Sequence, residues 1–286
     1  MSDASISTLG RWLRTPWYAF WRWLERLFYA DKEYSLQIPQ GQRIYTPWFH
    51  PQAGTPFAKA LHGMGSRGDL VVSPDRCYLL FQMATRAGRL PGEFAECGVY
   101  TGGTAELLAG VLRKALESDS QSDGKAGGAS ARKLHLFDTF EGMPEGTEAG
   151  RDYHSPGDFS DTSEEAVRQR LRAFEDLCAF HVGVMPATFQ QVPQERYSFV
   201  HVDVDIYPSA LECCRWFWPR LVPGGVMVFD DYGFYPYRHA ARAAVDEFFA
   251  DQVEAPIALP TGQAIVFKDF SAADPNAQNR TRTNSP

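Results

Sequence analysis

From residue 73 onward, short apolar runs alternate with segments whose apolar residues recur at helical spacing. Short runs bounded by turn residues read as buried strands, and i, i+3, i+4 spacing reads as helix. Residues 93–97, 134–137, 179–184, 197–202 and 226–229 predict five strands, and 255–259 with 263–267 a closing hairpin. A helix is expected from Pro74 to about 87, with Ser73 as N-cap and proline at its first position. Further helices are expected over 103–116, over 163–176 with Ser163 as N-cap, over 208–221 and over 239–249. In the fourth of these, Leu211, Cys214 and Trp218 share one face, so the adjacent Trp216, Phe217 and Trp218 read as packing residues. This alternation predicts an α/β fold: a mostly parallel, seven-stranded sheet with helices on both faces.

The segments between these elements differ in kind. Residues 118–130 are Ser-, Gly- and Asp-rich and predict a linker. Residues 139–161 are long, polar and bear Gly and Pro, the length of an active-site loop. Residues 1–72 read as an extension, 73–270 as the domain, and 271–286 as a polar, disordered tail. Within the extension, 31–72 lack clear periodicity. Residues 1–30 mix Trp12, Trp17, Trp21 and Trp23 with Arg11, Arg14, Arg22 and Arg26, and Trp17, Phe20, Trp21, Leu24 and Phe28 have helical spacing. Two readings stand for that helix: contact with the domain or a partner subunit in a homo-oligomer, and peripheral contact with a membrane surface.

Length and charge narrow the class. The chain has 286 residues and a net charge of −7, which disfavours a general nucleic-acid binder because phosphate binding needs a basic face. The five cysteines show no CxxC or zinc spacing and read as reduced thiols. No apolar run reaches 18 residues, and the N-terminus lacks a signal-peptide pattern. A cytoplasmic location is expected.

The chemistry concentrates at expected strand ends. Asp203 and Asp205 follow the fourth strand in HVDVD; Asp230 and Asp231 follow the fifth in VFDDYG. Aspartate is depleted from strands, and buried carboxylates are costly unless they meet a cation. Strand ends that deliver four of them to one point suit a hard divalent ion: Mg²⁺, with Mn²⁺ or Ca²⁺ as alternatives. Tyr207 and Tyr232 adjoin these pairs and are expected to wall the pocket. The first strand runs into Glu96-Cys97-Gly98-Val99-Tyr100-Thr101-Gly102-Gly103, where glycines let backbone approach a ligand closely. The second ends at Asp138, placed to accept hydrogen bonds from a ribose diol. His181 and His201 lie on strands and read as core groups; His154, in the long loop beside Tyr153, has two readings, a substrate contact and an exposed loop histidine without a role.

Five ordered segments, ECGVYTGG, FDTFEGMP, HVGVMPATFQQVP, HVDVDIYPSALE and PGGVMVFDDYG, resemble the macrocin O-methyltransferase family over about residues 73–267. The resemblance implies a Rossmann-like class I methyltransferase fold and O-methylation of a sugar, glycoside or polyketide-like acceptor with S-adenosyl-L-methionine and Mg²⁺. It further implies that Glu96, Gly98 and Gly102 line the methionine end of the cofactor site and that Asp138 holds the ribose. Asp203, Asp230 and Asp231 would ligate Mg²⁺, and Asp205 would be the general base. Two alternatives remain at this point: a metal-dependent glycosyltransferase using the DxD pair, and a non-catalytic protein of the same fold.

Overall fold

The structure is a computed structural model and describes residues 54–65, 71–122 and 132–269. The chain divides into units 1–48 and 49–286, and everything below concerns the second. The Trp/Arg helix with its oligomer and membrane readings, and the polar tail, lie outside the described residues.

In chain order the elements are α1 (Pro56–Gly65), α2 (Pro74–Ala87), β1 (Glu93–Cys97), α3 (Gly103–Ser122), β2 (Leu134–Asp138), α4 (Glu164–Arg170), β3 (Cys178–Val182), β4 (Tyr197–Val202), α5 (Tyr207–Phe217), β5 (Leu221–Phe229), α6 (Ala241–Phe249), β6 (Ile257–Ala258) and β7 (Ala264–Phe267). The seven strands form one sheet in the order β3-β2-β1-β4-β5-β7-β6. The first five are mutually parallel; β7 runs antiparallel to β5 and pairs with β6 as the expected hairpin. Winding reverses between β1 and β4, the place where open α/β sheets bind ligands.

The period-2 alternation of the strands separates two cores. Ala95, Cys97, Val200, Val202, Met227 and Phe229 face one side, where α5 and α6 pack through Phe217, Val245 and Phe249. Phe94, Leu134, Leu136, Phe199, Val226 and Val228 face the other, against Leu80, Leu108 and Leu112 of α2 and α3. The same alternation turns Glu96, His201 and Asp230 toward the α2 side, a direction that matters at the site.

Four local differences from the sequence-based expectation have physical causes. Helix α3 continues six residues past 116, where the Ser118 and Ser120 hydroxyls fold back onto the carbonyls of Lys114 and Leu116, at 3.0 and 2.9 Å, and so do not compete for the helix backbone N–H groups. Pro219 ends α5 at Phe217, and Trp218–Arg220 forms a 3-10 turn instead. Strand β5 starts at Leu221, because Pro223-Gly224-Gly225 bulges within the strand: Gly224 N bonds Lys268 O and Lys268 N bonds Gly225 O. Helix α1 falls in the stretch read as irregular and buries Phe57 against Tyr78 and Phe81. Of the two predicted caps, Ser163 accepts from Ala166 N at 3.2 Å, whereas the Ser73 side chain makes no cap bond and its carbonyl accepts from Cys77 N. All five cysteines are free, and among the described residues no helix is long and apolar enough to cross a membrane.

His181 sits in a buried chain, 2.9 Å from His135 and 2.9 Å from Gln191 Oε1, with Phe137 stacked on its ring. Burial lowers its pKa below the ordinary 6.5. The unfolded chain then binds a proton that the folded chain refuses, so this contribution is present above pH 6.5 and is lost as pH falls through the lowered folded value. Wild type is therefore expected to lose more thermal stability between pH 7.5 and 5.5 than His181→Gln. Equal losses in the two proteins would remove His181 as the cause.

Candidate active site

The carboxyl ends of β1, β2 and β4 open into one cavity of about 1160 Å³, counting its open mouth. Its first wall is the turn after β1. Gly98 has φ +83°, and a Cβ there would lie 1.8 Å from the Asp203 carbonyl oxygen. The turn is tied down by Asp138, whose Oδ2 accepts from Val99 N at 2.6 Å and Tyr100 N at 3.0 Å, while Oδ1 accepts from Phe140 N at 2.7 Å. A carboxylate offers about four lone-pair directions; the fourth lies toward Thr139 Oγ1, a long 3.4 Å from Oδ1, and that hydroxyl also donates to Gly142 O at 2.6 Å.

The floor is acidic. Ligand-capable oxygens of Asp203, Asp205 and Asp231 lie within 4.8 Å of one another. Asp205 reaches this cluster from a three-residue turn: its φ is +58°, and Ile206 N bonds Val204 O. Burial, and then the charge of Asp231, push the Asp203 and Asp205 carboxyls well above the usual carboxylate range. Buried carboxyls crowded together, whose mutual repulsion outweighs the nearby Arg76, have the donor chemistry of a hard-cation site.

Asp230 is placed differently. It is fully buried, accepts from Gln263 Nε2 at 2.7 Å, and pairs with Arg76 of α2. It also forms a second candidate group with His201 and Asp203. Arg76 lies 3.8 Å from Asp231 and packs over the Phe234 ring. Behind the cavity, Glu96 Oε1 is 2.8 Å from His201 Nδ1, and His201 Nε2 is 3.7 Å from Asp230.

The structure thus brings Gly98, Asp138, Asp203, Asp205 and Asp231 to one cavity, and Glu96, Gly102 and Asp230 stand behind it. Glu96 faces His201 because of its strand parity. Gly102 faces α4, where a Cβ would meet Val167 at 2.9 Å. Tyr207 and Tyr232 do not wall the cavity: their hydroxyls bond Glu247 and Asp246 on α6. Sequence reasoning missed Arg76 and Tyr237. Both line the cavity from elements far from the aspartates' strands or beyond them, and no local spacing signals that approach. It also missed Tyr100 and Phe159, which line the cavity with left-handed backbone, φ +48° and +61°. Strained non-glycine residues gather at functional sites, yet nothing in their side chains marks them beforehand.

The model of the macrocin O-methyltransferase (TylF) family matches residues 81–268, about two thirds of the chain. The protein belongs to the macrocin O-methyltransferase family. Members of this family are methyltransferases, and the glycosyltransferase and non-catalytic readings fall away. The tetracenomycin-type 8-demethyl-8-(2,3-dimethoxy-alpha-L-rhamnosyl)-tetracenomycin-C 4'-O-methyltransferase of Streptomyces olivaceus is 28% identical over 208 residues, covering 68% of this chain and 72% of that protein. Demethyldecarbamoylnovobiocin O-methyltransferase of Streptomyces niveus is 28% identical over 171 residues, covering 56% of this chain and 59% of that protein. Among solved structures, the O-methyltransferase NovP superposes with a TM-score of 0.58 at 24% identity, over 69% of this chain and 81% of its own. The calicheamicin methyltransferase CalS11 gives 0.53 at 14%, over 77% and 94%. These two likenesses show a shared fold, the class I methyltransferase fold of this O-methyltransferase.

Proposed function

We propose that this protein transfers the methyl group of S-adenosylmethionine to a hydroxyl of a sugar or glycoside, with a divalent cation, Mg²⁺ by its chemistry, at the acidic floor. The observation that carries this reading is the convergence of Asp203, Asp205 and Asp231 in the same cavity that the glycine-rich turn walls. The names of the relatives, which act on a rhamnosyl tetracenomycin and a novobiocin precursor, support the acceptor class.

The donor set of Asp203, Asp205 and Asp231 suits the ion: oxygen ligands that repel one another and carry more negative charge than Arg76 alone offsets. Asp203 and Asp231 would hold it, with Asp230 joining once Arg76 releases that carboxylate. A cation held by these residues would supply Lewis acidity that lowers the pKa of an acceptor hydroxyl. Asp205, on its left-handed turn, takes the hydroxyl proton, a step typically worth about 10²–10⁴-fold. The backbone at Gly98 lets the methyl donor lie close to the turn, and Asp138 accepts from its ribose in place of the long Thr139 Oγ1 contact. Glu96 acts from behind, holding His201 between β1 and Asp230. Alignment of the acceptor oxygen with the sulfonium methyl is the larger contribution, since positioning removes roughly 7–11 kcal/mol of barrier in favourable cases.

The test is transfer of labelled methyl from S-adenosylmethionine to a panel of sugars and glycosides, with Mg²⁺ and with a chelator. Labelled glycoside that forms with Mg²⁺ and not with chelator is expected. Equal transfer in chelator would overturn the metal part. Transfer to phenols alone would overturn the acceptor class.

A further inference from the structure

The long loop places His154 in a setting that a solvated loop histidine does not have. Its side chain is 12% exposed, wedged against Phe159 at 4.8 Å and Tyr153 at 5.0 Å, and stacked with Tyr237 at 5.7 Å. Nδ1 lies 3.0 Å from Asp158 Oδ2, and Nε2 lies 3.0 Å from the Tyr237 hydroxyl. Asp158 is also fixed, accepting from Ser155 N at 3.0 Å. Tyr237 in turn lines the cavity that holds the aspartates.

The chemistry of the three groups orders the protons. An ionised carboxylate only accepts, so a neutral His154 carries its proton on Nδ1 and donates to Asp158. Nε2 is then an acceptor, and the Tyr237 hydroxyl must donate to it. The oxygen of Tyr237 has only lone pairs left for the cavity. Burial, the largest cause, raises the Tyr237 pKa, and the hydroxyl stays protonated and donating.

We propose that Tyr237, oriented by His154 and Asp158, reads a second hydroxyl of the acceptor, next to the one that is methylated. The inference rests on the methyl-transfer reading above and adds which acceptors fit. The Tyr237 oxygen, with its proton committed to His154, faces the cavity as an acceptor beside the aspartates, so the group that matches it is a hydroxyl donor next to the one methylated, as on a polyol. A deoxy position, or one already capped as a methyl ether, offers Tyr237 nothing to accept and leaves its cavity-facing lone pair without a donor. Phe159 and Tyr100, edge-to-face at 5.4 Å, supply an apolar wall for the C–H face of the same ring. Tyr237 is thus a specificity residue, and His154 and Asp158 are positioning residues.

Two measurements on the full chain test this. The first needs no acceptor: ¹⁵N-histidine NMR at neutral pH, with His154→Gln to assign the signal. The Nδ1–H tautomer is expected at His154, and the Nε2–H tautomer would overturn the proton order. The second uses methyl α-L-rhamnopyranoside and its monodeoxy analogues as acceptors for wild type and Tyr237→Phe. In wild type, one deoxy analogue adjacent to the methylated position is expected to raise KM about tenfold, the worth of one hydrogen bond. In Tyr237→Phe the parent sugar and that analogue should have equal KM, with S-adenosylhomocysteine affinity unchanged. A preserved discrimination in Tyr237→Phe would overturn the proposal. Wild type that methylates none of these sugars would instead contradict the acceptor class, and the tautomer result would still decide the role of His154.

Discussion

Asp205→Asn is expected to lower the turnover of methyl transfer about 10²–10⁴-fold, the usual worth of a positioned general base. The substitution isolates the carboxylate from the backbone that presents it. Asp205 has φ +58°, a region that asparagine enters more readily than most residues. The turn therefore survives in the variant, while the amide cannot take the acceptor's proton. S-adenosylhomocysteine should bind as in wild type, because the glycine-rich turn and Asp138 are untouched. The melting temperature should stay level or rise, since one of three crowded carboxyls is removed from a site where burial and Asp231 resist its ionisation. Single-turnover kinetics with saturating donor checks the claim, and turnover within threefold of wild type would remove Asp205 from the chemistry.

Gly98→Ala should damage the fold itself. Two penalties coincide there: φ is +83°, and the new Cβ would sit 1.8 Å from the Asp203 carbonyl oxygen, which is backbone and has no rotamer to yield. Asp203 N is bonded to Cys97 O at 2.8 Å, so relief requires β1 and β4 to part at the switch point. Gly150 is the control. It has φ +86° with nothing within 4 Å of an added Cβ, so Gly150→Ala carries the backbone strain alone, of order 1–2 kcal/mol. Gly98→Ala is expected to cost roughly 4 kcal/mol or more, a fall in melting temperature of about 8–16 °C for a domain of this size. Similar melting temperatures in the two variants would show that the approach of Asp203 does not constrain Gly98.

Most of the sheet was legible because buried parallel strands are short apolar runs, and each of the seven was found near its place. Strand and helix ends were less so, since they depend on local features such as the Pro223-Gly224-Gly225 bulge held by Lys268. At the site, the aspartates could be read from their positions after strands, because carboxylates there need an explanation. Their directions could not. Asp230 and Asp231 are neighbours in sequence, yet strand parity sends the first toward Arg76 and the second into the cavity. Arg76 lies more than a hundred residues before its partner and meets it only because α2 crosses the end of β5. His154 looked like an ordinary loop histidine until Tyr237, 83 residues on, was found against it.

The central claim is one cavity with a methyl-donor side and a cation side. Calorimetric titration of S-adenosylmethionine and of Mg²⁺ into wild type and Asp231→Asn tests it most directly. S-adenosylmethionine is predicted to bind both proteins, and Mg²⁺ wild type alone. The Mg²⁺ affinity should rise with pH, because the raised carboxyls of Asp203 and Asp205 must lose protons as the ion binds. Equal Mg²⁺ binding by the two proteins would place the ion elsewhere, and wild type that fails to bind S-adenosylmethionine would contradict the account at its root.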